Sequence, residues 1–465
     1  MRRFGWQWLA ASSLLIGALG TNAETRPQYG GTLHVAMRAA PSSLDPADRS
    51  IPDSFGRRGL TALIFDTLVN AGDSGGMKPA LAEFWQPAGD DQHLQLRLRH
   101  GVQFQDGTPL TAEIAASSLR FANPSWSVRA EGDAVVIDRD ASGHDRSGIN
   151  LLAELALTRN AIVRRNADGS LNGTGPFHVA EWQPGSHLSL AANENCWRRR
   201  PFLDSIEIEL GKSFRDQMTA LQMGKADLVE IAPEQLHRFS QESHRLVTSQ
   251  PMELLALVFV RDVSSSQEKS LREALGWSVE RGSIRDVLLQ GAGLPTGSVL
   301  PTWISGYGFV FSSSADLPKA RQLRGQAHSV PNWKLAYETG DPLDRLLAER
   351  IALNARDAGM SLQPTAGAGA DLRLVRIPLW SSDPWIALNE FESEVGLSGA
   401  TVAPSRVGSV ENLYAAEQAL LSTKRVIPLF HLPLSYTSAA GVRGWSLRPD
   451  GVWDLSDAWL ENAKP

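Results

Sequence analysis

The sequence is poor in cysteine. Its 465 residues include only Cys196, so no disulfide can form within the chain and a disulfide-stabilised scaffold is excluded. No histidine and asparagine signature accompanies Cys196, and a lone cysteine is more often an inert buried thiol than a nucleophile. Stability must therefore come from hydrophobic cores, and a chain of this length is expected to build two or three domains.

An excess of positive charge is also missing. The chain has 45 Lys and Arg against 51 Asp and Glu, which gives a formal net charge of −6. This balance argues against nucleic acid or an anionic membrane surface as a partner. Beyond the N-terminal segment, no apolar run reaches the roughly 18 residues that a membrane-spanning helix needs. The composition is typical of a soluble globular protein.

The N-terminal segment is the exception. Arg2 and Arg3 precede an apolar stretch at 8–19, and residues 21–23 form an approximate small-residue cleavage site. This order predicts a signal peptide over 1–23, with an uncleaved membrane anchor as the alternative. No cysteine lies near the cleavage site, so a lipid anchor is not expected. The mature protein is predicted to be periplasmic.

Enzyme motifs are missing as well. The stretch GKS at 211–213 has Ile206 where a phosphate-binding loop needs glycine, and GAGLPTG at 291–297 has Thr296 in place of the third glycine of a dinucleotide site. Neither Gly-x-Ser-x-Gly nor His-Glu-x-x-His occurs. The ten histidines are dispersed, so no metal site is predicted. We expect a protein that is not an enzyme, without catalytic residues or cofactor.

The patterns that are present indicate a mixed α/β fold. Alternating residues predict strands at 32–37 and 94–98, and a Pro-Gly turn inside 177–191 predicts a hairpin. Apolar spacing predicts a helix over 60–70. Asp341 as N-cap, followed by proline, predicts a second helix that ends near Gly359.

Several stretches together resemble the family 5 extracellular solute-binding proteins, the receptors of peptide- and nickel-type ABC importers. They occur in the family's order along almost the whole mature chain. The principal ones are YGGTLHVAMRAAPSSLDP (29–46), the segment 64–119, GTGPF (173–177), TALQMGKADLVE (219–230) and VIPLFHLP (426–433).

The resemblance implies a two-lobed fold of the periplasmic-binding-protein type II kind, with a subdomain inserted in the first lobe. The first lobe would comprise 24–51, 172–258 and 436–465, the inserted subdomain 52–171, and the second lobe 259–435. The Gly-Thr-Gly-Pro block would mark the return from the insertion, with Gly173 and Gly175 permitting turn conformations.

The implied function is to capture a small solute between the lobes and deliver it to the permease subunits of an ABC importer. The ligand would be peptide-like or another small molecule, the protein a monomer, and nickel would have to arrive in a chelator. A chemosensory receptor of the same fold and a secreted hydrolase are the alternatives.

The resemblance also implies where the ligand lies. In peptide-binding relatives, the stretch matching RIPLWSSDPW supplies a tryptophan and an acid that pairs with the ligand's ammonium group. Trp380 matches the tryptophan and Asp383 the acid before proline. The acid nearer the tryptophan is replaced by Ser381 and Ser382. This departure favours a neutral polar ligand, because a buried charge without its partner is costly.

Five further residues complete the predicted site. Arg376 could pair with a ligand carboxylate through its planar guanidinium, or lie at the surface of its strand. The resemblance implies that Leu44 and Asp45 border the cleft from the first lobe, and Phe430 and His431 from the hinge between the lobes.

Overall fold

The structure is a computed structural model, and it describes residues 26–72, 76–87, 93–139, 150–239, 245–308, 311–367, 369–397 and 409–461. The predicted signal peptide, 1–23, lies outside the described residues. Within those residues, we find no helix whose length and apolar character would let it cross a membrane.

Helices occur along the whole described chain. In chain order the α-helices α1 to α12 are Phe55–Ile64, Ala112–Ala122, Leu151–Leu155, Phe214–Gln222, Leu236–Phe239, Ser266–Ser278, Arg281–Val287, Thr302–Ser305, Leu317–Gly325, Pro342–Asp357, Pro384–Glu394 and Val410–Ser422. Short 3-10 helices lie at Thr158–Asn160 and Pro233–Gln235.

Strands alternate with these helices. In chain order β1 to β23 are Thr32–Ala36, Val69–Ala71, Met77–Pro79, Ala82–Pro87, His93–Leu98, Trp126–Glu131, Ala134–Arg139, Arg164–Arg165, Leu171–Asn172, Phe177–Gln183, His187–Ala192, Ser205–Glu209, Leu228–Glu230, Arg245–Phe259, Leu294–Pro295, Asn332–Ala336, Ser361–Thr365, Leu372–Pro378, Val426–Ser438, Val442–Arg443, Ser446–Leu447, Trp453–Asp454 and Trp459–Leu460.

One large mixed sheet organises the molecule. Its strand order is β10-β11-β12-β1-β13-β19-β14-β18-β16-β17, and β15 pairs with β19 at its side. The two longest strands, β14 and β19, lie antiparallel at its centre. On one side β19 pairs with β13, and on the other side β14 pairs with β18. The sheet therefore has a first half and a second half, and β14 and β19 run through both.

The two halves meet where the β14–β19 ladder is irregular. The pairing register shifts between Thr248 and Pro251 and again between Pro251 and Glu253, and Pro251 faces Pro433 on β19. Proline has no N–H to donate to a ladder, so paired prolines interrupt the hydrogen bonding. Since Glu253 is already paired with β18, the change of neighbours occurs before residue 253.

Hydrophobic cores lie on both halves. In β14, Leu255, Leu257 and Phe259 belong to one core of the second half, whereas Leu254 and Ala256 belong to another. Alternate residues of a strand point to opposite faces, so the second half is covered on both. A core around β1 stabilises the first half, and a separate core surrounds the small sheet β4-β5-β7-β6 and α2.

Most local predictions are confirmed. The strands at 32–36 and 93–98, the hairpin β10–β11 and helix α10 are all present, and Asp341 Oδ1 accepts a hydrogen bond from the Leu343 N–H at 3.0 Å. The predicted helix over 60–70 is wrong. The helix runs from Phe55 to Ile64, its N-cap is Ser54, and the chain is extended from Phe65 onward.

This early end lets the chain after α1 lie against the Gly-Thr-Gly-Pro block. The Gly175 N–H donates to the Ile64 carbonyl at 3.0 Å. A Cβ on Gly173 would lie 1.9 Å from the same oxygen. Neither glycine has a positive φ, so the prediction that they serve turn conformations is corrected: they allow close backbone approach.

Gly173→Ala is therefore expected to lower the free energy of unfolding by about 2 kcal/mol or more, because backbone must move to admit the methyl group. The matched control is Gly282→Ala in α7, where an added Cβ meets nothing within 4 Å. This control is expected to be neutral or to stabilise by about 0.5 kcal/mol. Urea unfolding of both variants measures the difference, and equal stabilities would contradict the close-approach argument.

Candidate binding cleft

A cavity of about 570 Å³ lies between the two halves of the sheet. Its walls come from both sides of the β14–β19 crossing, including Pro433 itself. The first half and the loops around it contribute Arg38 and Ala39 beyond β1, the first turns of α1 and α4, and the end of β13. The second half contributes side chains of β14 and β18 and the turn before α10. The polar and aromatic lining includes Arg38, Phe55, Lys212, Phe214, Glu230, Glu253, Glu338, Arg376 and Tyr436.

Glu230 is held in place by the first half. It ends β13, and its Oε2 accepts hydrogen bonds from the Arg38 backbone N–H at 2.6 Å and from Gln217 Nε2 at 2.9 Å. Gln217 also accepts from the Glu230 N–H through Oε1 at 2.8 Å, which fixes the strand end against α4. Burial raises the pKa of Glu230 despite these hydrogen bonds.

Arg376 is the centre of the polar group in the second half. Its Nη2 donates to Asp341 Oδ2 at 3.1 Å and to Asp344 Oδ1 at 2.9 Å, and its Nη1 lies 4.0 Å from Glu253 Oε2. Burial alone would lower the pKa of Arg376, but the three carboxylates raise it above its ordinary value. The side chain is 12% exposed, so the alternative of a surface strand residue is wrong.

Carboxyl groups outnumber cations in and beside the cavity. Glu234 adds a buried Oε2 that has no hydrogen-bond partner among the described residues, and burial raises its pKa. Burial likewise raises the pKa of Glu253, opposed only in part by Arg376. Arg38 Nη2 lies 4.0 Å from Asp341 Oδ2, an ionic contact between the two halves. The electrostatic character of the cleft is therefore acidic.

The predicted tryptophan loop lies behind one wall of this cavity. Trp380 packs on Phe55 with ring centroids 4.8 Å apart, and the Arg58 guanidinium lies 3.9 Å from the Trp380 ring centroid. Trp380, Ser381 and Ser382 line a second cavity of about 20 Å³, room for one water at most. Asp383 is the N-cap of α11, and its Oδ1 accepts from the N–H groups of two residues in the first turn. Burial raises the pKa of Asp383.

Four other predicted residues do not line the large cavity. Asp45 forms a two-oxygen ion pair with Arg165 at 2.7 and 2.9 Å, and Leu44 belongs to the core around β1. Phe430 is fully buried in a core of the second half. His431 Nε2 lies 2.9 Å from a backbone carbonyl, and burial lowers the pKa of this histidine to about 4, so it is neutral near pH 7. Arg376 alone of the nine lines the large cavity; ligand contact by the other eight stays a prediction.

Sequence reasoning missed Glu230, Glu253 and Tyr436. Glu230 and Glu253 each border an apolar strand segment, LV before Glu230 and LLALVF after Glu253. An acid next to a buried run was the one available signal. It is weak, because strand ends commonly reach solvent.

Comparison with known proteins places the chain in a family. The model of the bacterial extracellular solute-binding proteins, family 5 (middle region), matches residues 76–376. The chain belongs to this family. The resemblance predicted from the sequence is thereby confirmed.

Named relatives in this family are binding proteins. The nickel-binding protein NikA of Staphylococcus aureus is 25% identical over 285 residues, which span 58% of this chain and 55% of that protein. The probable D,D-dipeptide-binding periplasmic protein DdpA of Escherichia coli is 23% identical over 409 residues, 79% of each chain.

Solved structures share the fold. NikA from Staphylococcus aureus, in complex with Ni(L-His)2, superposes with a TM-score of 0.77 at 18% identity, over 92% of this chain and 99% of that one. The oligopeptide-binding protein AppA from Bacillus subtilis, in complex with a nonapeptide, gives 0.77 at 16% identity, over 94% and 100%. The predicted mixed α/β, two-lobed binding-protein fold is confirmed.

Removing the central cation of the second half should destabilise the protein. Arg376→Met leaves Asp341, Asp344 and Glu253 buried without this cation. We expect the free energy of unfolding to fall by about 3–5 kcal/mol near neutral pH. Burial raises the pKa values of Asp344 and Glu253, so this loss of stability should shrink as the pH falls and these two carboxyls become protonated.

Urea unfolding at pH 7.5 and pH 5 measures this loss. Arg345→Met is the control, since Arg345 is exposed on α10 and its ion pair among the described residues is with Glu349 along the helix at 2.8 Å. If the two variants unfold alike at pH 7.5, the charge balance described for Arg376 is wrong.

Proposed function

We propose that this protein is the exported receptor of an ABC importer and that it captures a small solute in the cavity between the two halves of the sheet. One observation carries the proposal: a cavity of about 570 Å³ is lined from both halves. A ligand that contacts both sides binds the closed state better than the open one, and this difference in affinity drives closure.

We assign the lobes as the sequence predicts, 24–51, 172–258 and 436–465 to the first, 259–435 to the second and 52–171 to the inserted subdomain, with two changes. Residues 253–258 would belong to the second lobe, because they pair with β18, and helix α1 to the first. The crossing strands β14 and β19 would act as the hinge, at the irregular pairing around Pro251. Helix α1 packs with the first lobe, since Leu60, Leu63 and Ile64 lie in the core around β1.

The relatives support a binding role. Their names and complexes describe binding of nickel, peptides or D,D-dipeptides, which favours a receptor over a hydrolase. We further propose a periplasmic monomer that is exported by the segment 1–23 and docks on permease subunits. Trp380 would support the cavity wall from behind Phe55, on which it packs.

The first test is to identify what the protein carries. The mature chain, purified gently from the periplasm of its host, is unfolded and the released solute is analysed by mass spectrometry. We expect one recurring small solute that also raises the melting temperature when it is added back. If no solute is recovered and none from a broad panel stabilises the protein, the receptor proposal fails.

A cleft-filling variant tests the location of the site. Gly340 lines the cavity and is exposed to it, and its added Cβ would meet only a Glu338 oxygen at 3.8 Å. Gly340→Trp should weaken binding of the recovered solute at least tenfold without lowering stability. The matched control is Gly325→Trp at the exposed end of α9, where a Cβ meets nothing within 4 Å. Undiminished binding by Gly340→Trp would place the site elsewhere.

A further inference from the structure

The cleft carries a surplus of negative charge that the protein itself does not balance. The carboxyl groups in and around it are Glu230, Glu234, Glu253, Glu338, Asp341 and Asp344. Arg38 and Arg376 are the cations that face them. Lys212 also lines the cavity, but its Nζ lies 2.9 Å from Glu209 Oε2.

Arg376 is engaged mainly through Nη2, and its buried Nε has no hydrogen-bond partner among the described residues. Its Nη2 is shared by Asp341 and Asp344 at 3.1 and 2.9 Å, and it reaches Glu253 only at 4.0 Å. Arg38 stacks over the Phe214 ring, 4.5 Å from the centroid, and contacts Asp341 at 4.0 Å. Neither guanidinium therefore makes a close ion pair with Glu230 or Glu253.

Glu230 and Glu253 keep free oxygen lone pairs toward the cavity. In the described part of the chain, Glu230 Oε1 accepts no hydrogen bond, and Glu253 has only its distant contact with Arg376. A carboxylate accepts up to four hydrogen bonds, so these oxygens are suited to N–H donors brought by a ligand.

Tyr436 lies close to both acids. Burial raises the pKa of its hydroxyl, and the charges of Glu230 and Glu253 raise it further. The phenol stays protonated and offers one more polar contact, while Phe55 supplies an apolar wall. This combination of carboxylates and rings suits a cation that has a carbon skeleton.

A bare metal ion fits the site poorly. Nowhere in the described ranges do three or more His, Cys, Asp or Glu side chains converge as metal ligands. A complex of Ni²⁺ with two histidine anions is neutral, so it would leave the surplus negative charge uncompensated.

We propose that the cleft selects an organic cation with N–H donors, a protonated amine or a guanidinium, held between Glu230 and Glu253 beside Tyr436. The inference rests on the proposed receptor function and names the ligand class of the same site. It replaces the expectation of a neutral polar ligand that the serine pair suggested, because Ser381 and Ser382 do not line the large cavity.

Binding of such a cation requires both carboxylates to be ionised. Burial raises their pKa values in the ligand-free protein, so affinity for the cation should increase with pH over the range in which they titrate, with release of the protons that they carry there. The other charged groups facing them are Arg38, Arg376, Glu234, Glu338, Asp341 and Asp344. A neutral ligand would bind without this proton release.

Titration calorimetry on the ligand-free mature chain tests the proposal. The probes are 1,4-diaminobutane, 4-aminobutylguanidine, a dipeptide with a free or an acetylated N-terminus, Ni(L-His)2, glucose and succinate, together with the solute recovered from the host. We expect an amine or guanidine to bind, with affinity increasing between pH 5.5 and 7.5. A free-N-terminus dipeptide that binds when its acetylated form does not would identify a peptide as the source of the cation.

Three Glu→Gln variants test whether the cleft carboxylates contribute to ligand binding without affecting folding. Glu253→Gln and Glu230→Gln should each weaken binding of the cation at least tenfold and reduce the proton release, whereas Glu349→Gln on the exposed face of α10 should not. Neither cleft variant is expected to unfold more easily, since each removes a buried charge, and urea unfolding checks this.

The outcomes are distinguishable. If a neutral or anionic solute binds best, or the bound cation is indifferent to both Gln variants, the cation proposal is overturned and the receptor function stands. If none of the purchased probes binds but the recovered solute binds, carries a basic nitrogen and is weakened by both Gln variants, the proposal is supported. If no solute is recovered and no probe binds, both the cation proposal and the receptor function are overturned.

Discussion

The antiparallel pairing of β14 with β19 is the constraint on which the molecule depends. These strands run through both halves of the large sheet and so connect its two halves. Their pairing register shifts on both sides of the facing residues Pro251 and Pro433, and once more between Leu255 and Ala256. Because proline cannot donate a hydrogen bond, the sheet is weakest where the halves meet. The large cavity lies at this same place.

The position of the irregular pairing around Pro251 and Pro433 also determines which polar groups face the cavity. Glu253 is the first residue of β14 paired with the second half, and Tyr436 is the last residue of β19, toward the crossing, that pairs with β13. Asp341 serves two purposes: one oxygen caps α10 and the other binds Arg376. A helix N-terminus favours a carboxylate, so the local structure stabilises the acid that holds the central cation.

Sequence patterns predicted secondary structure correctly where interactions between neighbouring residues determine it. The alternation in 93–98, the Pro-Gly hairpin and the Asp341 cap all depend on neighbours within a few residues. The prediction of a helix over 60–70 was wrong because contacts with residues distant in sequence determine where this helix ends. Gly173 and Gly175, more than a hundred residues later, pack on the Ile64 carbonyl and hold the following chain extended.

The sequence by itself determined the family, the mixed α/β class and most element types, because periodicity, caps and ordered motifs are local properties of a chain. Only the tertiary structure decided the site. Glu230, Glu253 and Tyr436 come from three separate strands, and each alone is an ordinary strand residue. Their shared cavity, the burial that raises the pKa values of the two acids and the engagement of Arg376 by other carboxylates arise only when the halves are packed together.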